Sequence, residues 1–422
     1  MIRPALLPPR LTSVEVPRFL SPSRFLNLLG CKLSVLAERE AHVRLPLSPE
    51  AVFGLILHHL RREWAEGRYG PESSVSEALS DSLDSMARQA EKQLQMREET
   101  ARLVPLRETL GWWAWARGAQ RLQRWVSRAP PRRLHKRARS LPKILDSPEI
   151  GPEHAEKDLQ TGQEAWIVSP RWRLRGRADQ VVETRGGHYE IVDFKSGRLH
   201  DDEGNLVPES TMQVRLYALA AEESTNSPIR LFLEGSERHQ VLWGRHERQE
   251  TISLLREVLS DLPQGVRVSA PGIAMPGRQC AVCRVRPQCQ RYIDEAPKLW
   301  KDLEIAGHLP LDTWGRIVSI QRRGTVQDVE LKDPNGDLVI VRGLDTARRV
   351  DSLQLGDSIY FFGLESMEDR RSYGSVTRPR NFHEFPPDSG KRLRRAQSLL
   401  VFEGVEGSGD STAQFEELSW TE

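Results

Sequence analysis

The chain is poor in cysteine, with four in 422 residues, and it lacks any apolar run near the roughly 20 residues that a membrane helix needs. The first shortage excludes a disulfide scaffold, and the second predicts that no segment spans a membrane. The N-terminal stretch has no apolar core of the kind a secretory signal carries, which predicts a cytoplasmic protein. There is no internal repeat and no long low-complexity tract. A G-x4-G-K-[ST] phosphate loop is also absent, so the chain carries no ATP-driven motor of its own. Net charge is only +2, too little to point to a partner by itself. Charge of one sign is missing locally. Between Thr109 and Leu145 there is no Asp or Glu, while the same window holds Arg117, Arg121, Arg124, Arg128, Arg132, Arg133, Lys136, Arg137, Arg139 and Lys143. The last 20 residues do the reverse, with acids and no Lys or Arg.

A chain of this length predicts two or three domains. The composition shifts predict a first domain over residues 1–304 with a basic, partly helical insertion at about 71–150. A run of short strands follows over 305–385, and a flexible acidic tail over 386–422.

Three of the four cysteines, Cys280, Cys283 and Cys289, form a C-x2-C-x5-C cluster, and Cys31 stands alone far upstream. That layout points to metal binding rather than disulfides. Four thiolates suit zinc or an iron–sulfur cluster, and spacing alone leaves both open.

Between the two ends lies a set of chemistry-bearing residues. Trp172–Val182 alternates in the period of a strand, with Trp172, Leu174, Gly176 and Ala178 on one face. Arg185-Gly186-Gly187 reads as a turn into a second strand, His188–Ser196, whose Ile191, Val192 and Phe194 suit a central position. Asp193 and Lys195 are two apart and leave that strand on the same side. Such a pair is costly to bury unless it is satisfied or at work. Ser210–Ala221 reads as a helix with Gln213 and Tyr217 on one face. Ala51–Trp64 reads as another, with Phe53, Leu57, Leu60 and Trp64 as its apolar stripe and Gly54 and His58 beside it. Gly54 would admit another backbone closely. Each residue alone also fits a duller reading, such as a surface ion pair for Asp179 beside Arg177.

In this order, Gly54-x3-His58, Asp179, Asp193-Phe194-Lys195 and Gln213-x3-Tyr217 resemble the PD-(D/E)XK nucleases of the RecB type. The upstream cysteine with the C-x2-C-x5-C cluster resembles the iron–sulfur branch, which includes the AddB nuclease domain and CRISPR-associated iron–sulfur exonucleases. The resemblance covers roughly residues 20 to 295. One departure is Lys32 after Cys31, where relatives usually have proline. The resemblance implies an α/β restriction-endonuclease-like core, a mixed sheet flanked by helices. It implies Mg²⁺ or Mn²⁺ held by His58, Asp179, Asp193 and the carbonyl of Phe194. Lys195 would orient or deprotonate water, or stabilise phosphate charge, with Gln213 holding it and Tyr217 touching the DNA strand. A [4Fe–4S] cluster on Cys31, Cys280, Cys283 and Cys289 would staple the domain, with zinc as the alternative.

The insertion predicts a helix over Thr109–Val126 with Trp112, Trp113, Trp115 and Trp125 on an apolar side. Its basic residues, among them Arg117, Arg121, Arg124, Arg132, Arg133, Lys136 and Arg137, predict contact with phosphate or a docking surface. Downstream, Trp314–Gln321, Thr325–Lys332, Asp337–Arg342, Ser358–Leu364 and Ser372–Thr377 predict five strands. Asp333-Pro334-Asn335-Gly336 is a turn and Leu344–Val350 a short helix. The order resembles an OB-fold barrel, in which Tyr360, Phe361 and Tyr373 would stack bases near Arg322, Arg323 and Arg342. The expectation is a metal-dependent deoxyribonuclease acting on single strands or DNA ends, more an exonuclease than an endonuclease. It would serve repair, recombination or anti-phage processing, with a separate helicase or defence subunit as possible partner. The alternatives are a non-catalytic DNA-binding scaffold subunit and an RNA-directed nuclease.

Overall fold

A computed structural model describes residues 5–6, 8–65, 75–95, 104–128, 159–235, 237–301, 309–345, 353–366 and 391–403. The chain divides into two compact units, one over residues 10–294 and the other formed by residues 1–9 with 295–422. No helix among the described residues is long and apolar enough to cross a membrane.

In the larger unit the first long helix is α1 (Pro49–Ala65), preceded by a short strand and short helical turns. Proline at its first position and the Ser48 hydroxyl, which accepts from the Ala51 amide at 3.2 Å, set its start. Helix α2 (Val75–Gln95) and helix α3 (Trp112–Arg128) follow. Phe53, Ile56, Leu57 and Leu60 of α1 interlock with Leu83 and Leu94 of α2 and with Trp115, Leu122 and Trp125 of α3. Val192 and Phe194 belong to the same cluster, so the helical group is seated on the strand that carries Asp193.

Five strands make a mixed sheet in sequential order: β1 (Gly162–Ser169), β2 (Leu174–Glu183), β3 (Tyr189–Phe194), β4 (Ile229–Glu234) and β5 (Arg238–Val241). All neighbours are antiparallel except β3 and β4. A parallel pair cannot be joined by a tight turn, and helix α4 (Pro208–Ala221) supplies the crossover. Val214 and the run from Leu216 to Ala221 are buried, because α4 is covered by the sheet on one side and by helix α5 (Arg245–Ser260) on another. Strand β3 is buried on both faces from Ile191 to Phe194, as its central place in the sheet requires. This mixed sheet flanked by helices agrees with the core that the resemblance implies.

In the smaller unit, strands β6 (Thr313–Arg323), β7 (Val326–Lys332), β8 (Leu338–Asp345), β9 (Ser358–Ser366) and β10 (Lys391–Glu403) pair in the order β10-β8-β7-β6-β9. Strand β9 also pairs with β10, so the sheet closes on itself around Ile317, Val329, Leu331, Val341, Ile359 and Phe361. Only β8 and β10 run parallel within this circuit. The β7–β8 turn falls at Asp333–Gly336: the Asp333 carboxylate accepts the amides of Asn335 at 2.9 Å and Asp337 at 3.0 Å, and Gly336 takes φ +85°.

Two expectations change here. Leu344 lies in β8, not at the start of a helix; residues 346–350 lie outside the described residues, as does Ser372–Thr377. The last strand of the barrel is β10, within the segment expected to be a flexible tail. Its apolar run Leu399–Phe402 supplies the strand, and averaging over the acidic end hides it.

Candidate active site

The site grows out of the pairing of β2 with β3. Val181 faces Ile191 and Gln180 faces Val192, so the next step along both strands brings Asp179 and Asp193 together. One carboxylate oxygen of Asp179 accepts the Phe194 amide at 2.6 Å. Asp193 Oδ1 accepts from Gln213 Nε2 at 2.7 Å, and Lys195 Nζ lies 2.9 Å from Asp193 Oδ2. Lys195 also donates to Gln213 Oε1 at 2.7 Å. The Gln213 amide on α4 therefore ties the acid of β3 and the amine just past its end into one triangle, which uses both ends of the amide.

His58 reaches the same place from α1, with Nδ1 3.8 Å from Asp179 Oδ1. Its ring leans on Trp125 of α3, 5.8 Å between centroids, and Trp125 donates its indole N–H to the Gly235 carbonyl at 3.0 Å. Gly54, one turn before His58, is needed for a close approach: a Cβ there would sit 3.0 Å from Ser196 Oγ. The neighbour is thus a side chain at the end of β3 and not a backbone.

Burial is the main cause of the site's electrostatics. It pushes the Asp193 carboxyl up to about 6, with Lys195 opposing and Asp179 reinforcing the rise. It also raises Asp179, against the Phe194 amide and Arg61. For His58 burial lowers the pKa, so the imidazole is held neutral with a lone pair available. Two buried carboxylates that resist ionisation side by side are short of positive charge. Asp193 Oδ2 is buried and accepts no well-aligned hydrogen bond, despite the nearby ammonium. Two carboxylates, one of them with an oxygen short of a donor, and a neutral imidazole fit a hard divalent cation. Among the described residues no three His, Cys, Asp or Glu side chains already surround a common ion position.

Two neighbours had no signal among the motifs. Arg61, one turn beyond His58, is buried with its guanidinium over the Phe194 ring and donates to Gln163 Oε1 at 3.0 Å. Burial lowers it to about 10 while Asp179, Glu234 and Glu164 oppose the fall. Its place in a Leu-Arg-Arg-Glu run resembles an ordinary polar helix surface. Glu164 on β1 pairs with Arg177 Nε at 2.6 Å, and burial and Asp179 raise its carboxyl. Its φ of +53° is rare for this residue type, and only coordinates reveal it.

Tyr217 requires a correction. It is buried, and its hydroxyl donates to the Arg177 carbonyl at 2.9 Å, so it faces the sheet and not a DNA strand. Gly176 makes the room: a Cβ there would meet the Tyr217 ring and Pro22, each at 2.8 Å. Phe361 is corrected likewise, being fully buried in the barrel core, where it cannot stack on a base. Tyr360 is half-buried and stacks on Trp314 at 5.9 Å. Arg323 and Arg342 lie 3.6 and 3.8 Å from Asp328. On α3, Arg117 and Arg124 are exposed and Arg121 half-buried. Arg132, Arg133, Lys136, Arg137 and Tyr373 lie outside the described residues.

The four cysteines meet. All are free and buried, and Cys31, Cys280, Cys283 and Cys289 line one small cavity. Backbone amides point at the sulfurs: Met275 to Cys31 at 3.5 Å, Gly277 to Cys280 at 3.4 Å and Tyr292 to Cys289 at 3.4 Å. Burial nevertheless pushes the thiols of Cys280, Cys283 and Cys289 up to about 12. Arg286 also lines the cavity and favours ionisation of Cys280 and Cys283, but burial outweighs it; four buried sulfurs with amide donors suit a metal or cluster bound as thiolates. Lys32, which follows Cys31, pairs with Asp261 at 2.6 Å.

The sequence model of the PD-(D/E)XK nuclease superfamily matches residues 19–290. No curated protein matches the chain.

Proposed function

From the premise that the chain belongs to the PD-(D/E)XK nuclease superfamily, we propose that it is a Mg²⁺- or Mn²⁺-dependent deoxyribonuclease of the RecB type. In this reading it acts on single strands or DNA ends, as an exonuclease, in repair, recombination or phage defence. The observation that carries the proposal is the Asp193–Lys195–Gln213 triangle beside Asp179 and His58. Its groups are the ones that phosphodiester hydrolysis requires, brought together from four elements, α1, β2, β3 with the residue after it, and α4.

Asp179, Asp193, His58 and the Phe194 carbonyl would hold the cation, which when bound supplies a more acidic water and neutralises phosphate charge. The residues do the rest. Asp193 and Gln213 both hold the Lys195 ammonium, which fixes its direction. An N–H not spent on Gln213 donates to the attacking water or to a phosphate oxygen. The water oxygen bonds to phosphorus and releases a proton to solvent, the bond to the leaving sugar oxygen breaks, and that oxygen takes up a proton from solvent. Tyr217 acts at a distance, locking α4 to β2 and so placing Gln213.

The four-cysteine cavity supports a [4Fe–4S] staple, with zinc as the competing occupant. The closed circuit of five strands, with β8 parallel to β10, supports an OB-like accessory barrel. With no phosphate loop in the chain, a separate helicase is a fitting partner. The test is cleavage of matched DNA and RNA strands by the parent chain and by Asp193→Ala, with Mg²⁺ or Mn²⁺. The proposal expects metal-dependent DNA cleavage that the substitution abolishes. Equal residual activity in both proteins would refute it, and preferential RNA cleavage would replace the substrate.

A further inference from the structure

Helix α3 has two unlike faces. Trp115, Leu122, Trp125 and Val126 are buried in the helical core, so its apolar side is already covered. This excludes a helix lying in a membrane surface, which needs that side free. The four tryptophans do not share one side, as the sequence suggests. Trp112 and Trp113 stay 61 % and 69 % exposed, with their rings edge to face at 4.7 Å. From Trp113 the positions Arg117, Arg121 and Arg124 follow at steps of four, four and three, which keeps them on one side of the helix. The stripe is about 16 Å long at 1.5 Å per residue. Among the described residues no carboxylate pairs with Arg117, Arg121 or Arg124. Burial and the charges of Arg117 and Arg124 pull the Arg121 guanidinium below its usual range, as in a cluster lacking an anion.

An exposed pair of indoles at the head of an unpaired arginine row has two chemistries to satisfy, flat apolar faces and spaced negative charges. An unpaired nucleic acid strand offers both, whereas a duplex keeps its base faces stacked inside. We propose that the Trp112–Trp113 pair and the arginine row of α3 form a docking strip for single-stranded DNA, in which the indoles stack on bases and the arginines pair with phosphates. The strip rests on the nuclease reading for its partner, but it lies outside the catalytic motif and assigns the strand preference to named residues.

The test uses the full chain carrying Asp193→Ala, without added divalent ion, so that nothing is cleaved. Anisotropy of labelled oligothymidylate is compared with an abasic strand of equal length and with a hairpin duplex. Trp112→Ala/Trp113→Ala is expected to weaken oligothymidylate binding on the order of tenfold or more. Binding of the abasic strand and the slope of log K against log salt should stay unchanged. Trp112→Phe/Trp113→Phe should restore most of the loss. Arg117→Ala/Arg124→Ala should instead lower the salt slope by about 1.4, at roughly 0.7 per phosphate contact, on both strands. Both tryptophans are exposed, so unfolding temperatures should match the parent's. Equal affinity of the alanine variant and parent for oligothymidylate, or equal loss on the abasic strand and the duplex, would overturn the strip. Cleavage by the wild-type chain with no tryptophan effect refutes the strip alone. A tryptophan effect with no cleavage refutes the nuclease reading alone.

Discussion

Gln213 offers the most exacting test of how the site works. Its amide makes two contacts of 2.7 Å, accepting from Lys195 and donating to Asp193. Gln213→Ala leaves Asp193, only 3 % exposed, without its Oδ1 donor, and leaves the ammonium with Asp193 as its single anchor. An orphaned buried acceptor of this kind costs about 1–3 kcal/mol, and the partial exposure of Gln213 favours the low end. The larger effect falls on turnover. A preorganised donor to developing charge is worth roughly 2.7–4 kcal/mol, so Lys195→Ala should lower kcat on the order of 10²–10³-fold. Gln213→Ala removes only the donor's orientation, and a loss of about 10–10²-fold is expected, with KM little changed. Because Gln213 acts through Lys195, the double substitution should be hardly worse than Lys195→Ala alone. Single-turnover cleavage of a short labelled strand, under saturating metal, measures all four proteins. Losses that simply multiply would show that Gln213 does not work through the lysine.

Other expectations follow from particular contacts. Gly176→Ala sets a methyl against Tyr217 and Pro22, each 2.8 Å from the added carbon, and should cost about 1–3 kcal/mol in chemical denaturation while lowering kcat through α4. Glu40 accepts the Glu15 amide and pairs with Arg267 at 2.7 Å; although burial opposes it, these contacts hold its carboxyl below the usual value. A depressed carboxyl stabilises the fold above its unfolded pKa and loses that contribution as pH falls through the folded value. Glu40→Gln should therefore cost a few tenths to about 1 kcal/mol at neutral pH and nothing in strong acid. Cys31→Ser should abolish the brown absorption expected of anaerobically purified protein and lower its unfolding temperature. A colourless parent with one zinc per chain would remove the iron–sulfur assignment.

The chemistry of the site was largely legible in the sequence, because strands and helices have fixed periods. Asp193 and Lys195, two apart at the end of β3, had to point to one side, and Gln213 and Tyr217 had to share a side of α4. The meeting of Asp179 with Asp193 and of Cys31 with three distant cysteines came only from motif order, since no local rule sets long-range pairing. What stayed hidden depended on packing. Arg61 looks like any helix-surface arginine until Phe194 and three carboxylates surround it. Tyr217 and Phe361 were offered to DNA because a period says which residues share a side and not whether that side meets solvent. The same limit placed Trp112 and Trp113 with Trp115 and Trp125, although the first two are exposed. Strand β10 is masked in composition by the acidic segment that follows it.

The most direct measurement is Mn²⁺ binding to the full chain, followed by the resonance of the free ion, with cleavage measured on the same samples. The account predicts that Asp179→Ala and Asp193→Ala each weaken binding at least on the order of tenfold and stop cleavage. Lys195→Ala should bind the ion and fail to cleave. Undiminished Mn²⁺ binding together with retained cleavage in both aspartate variants would contradict it.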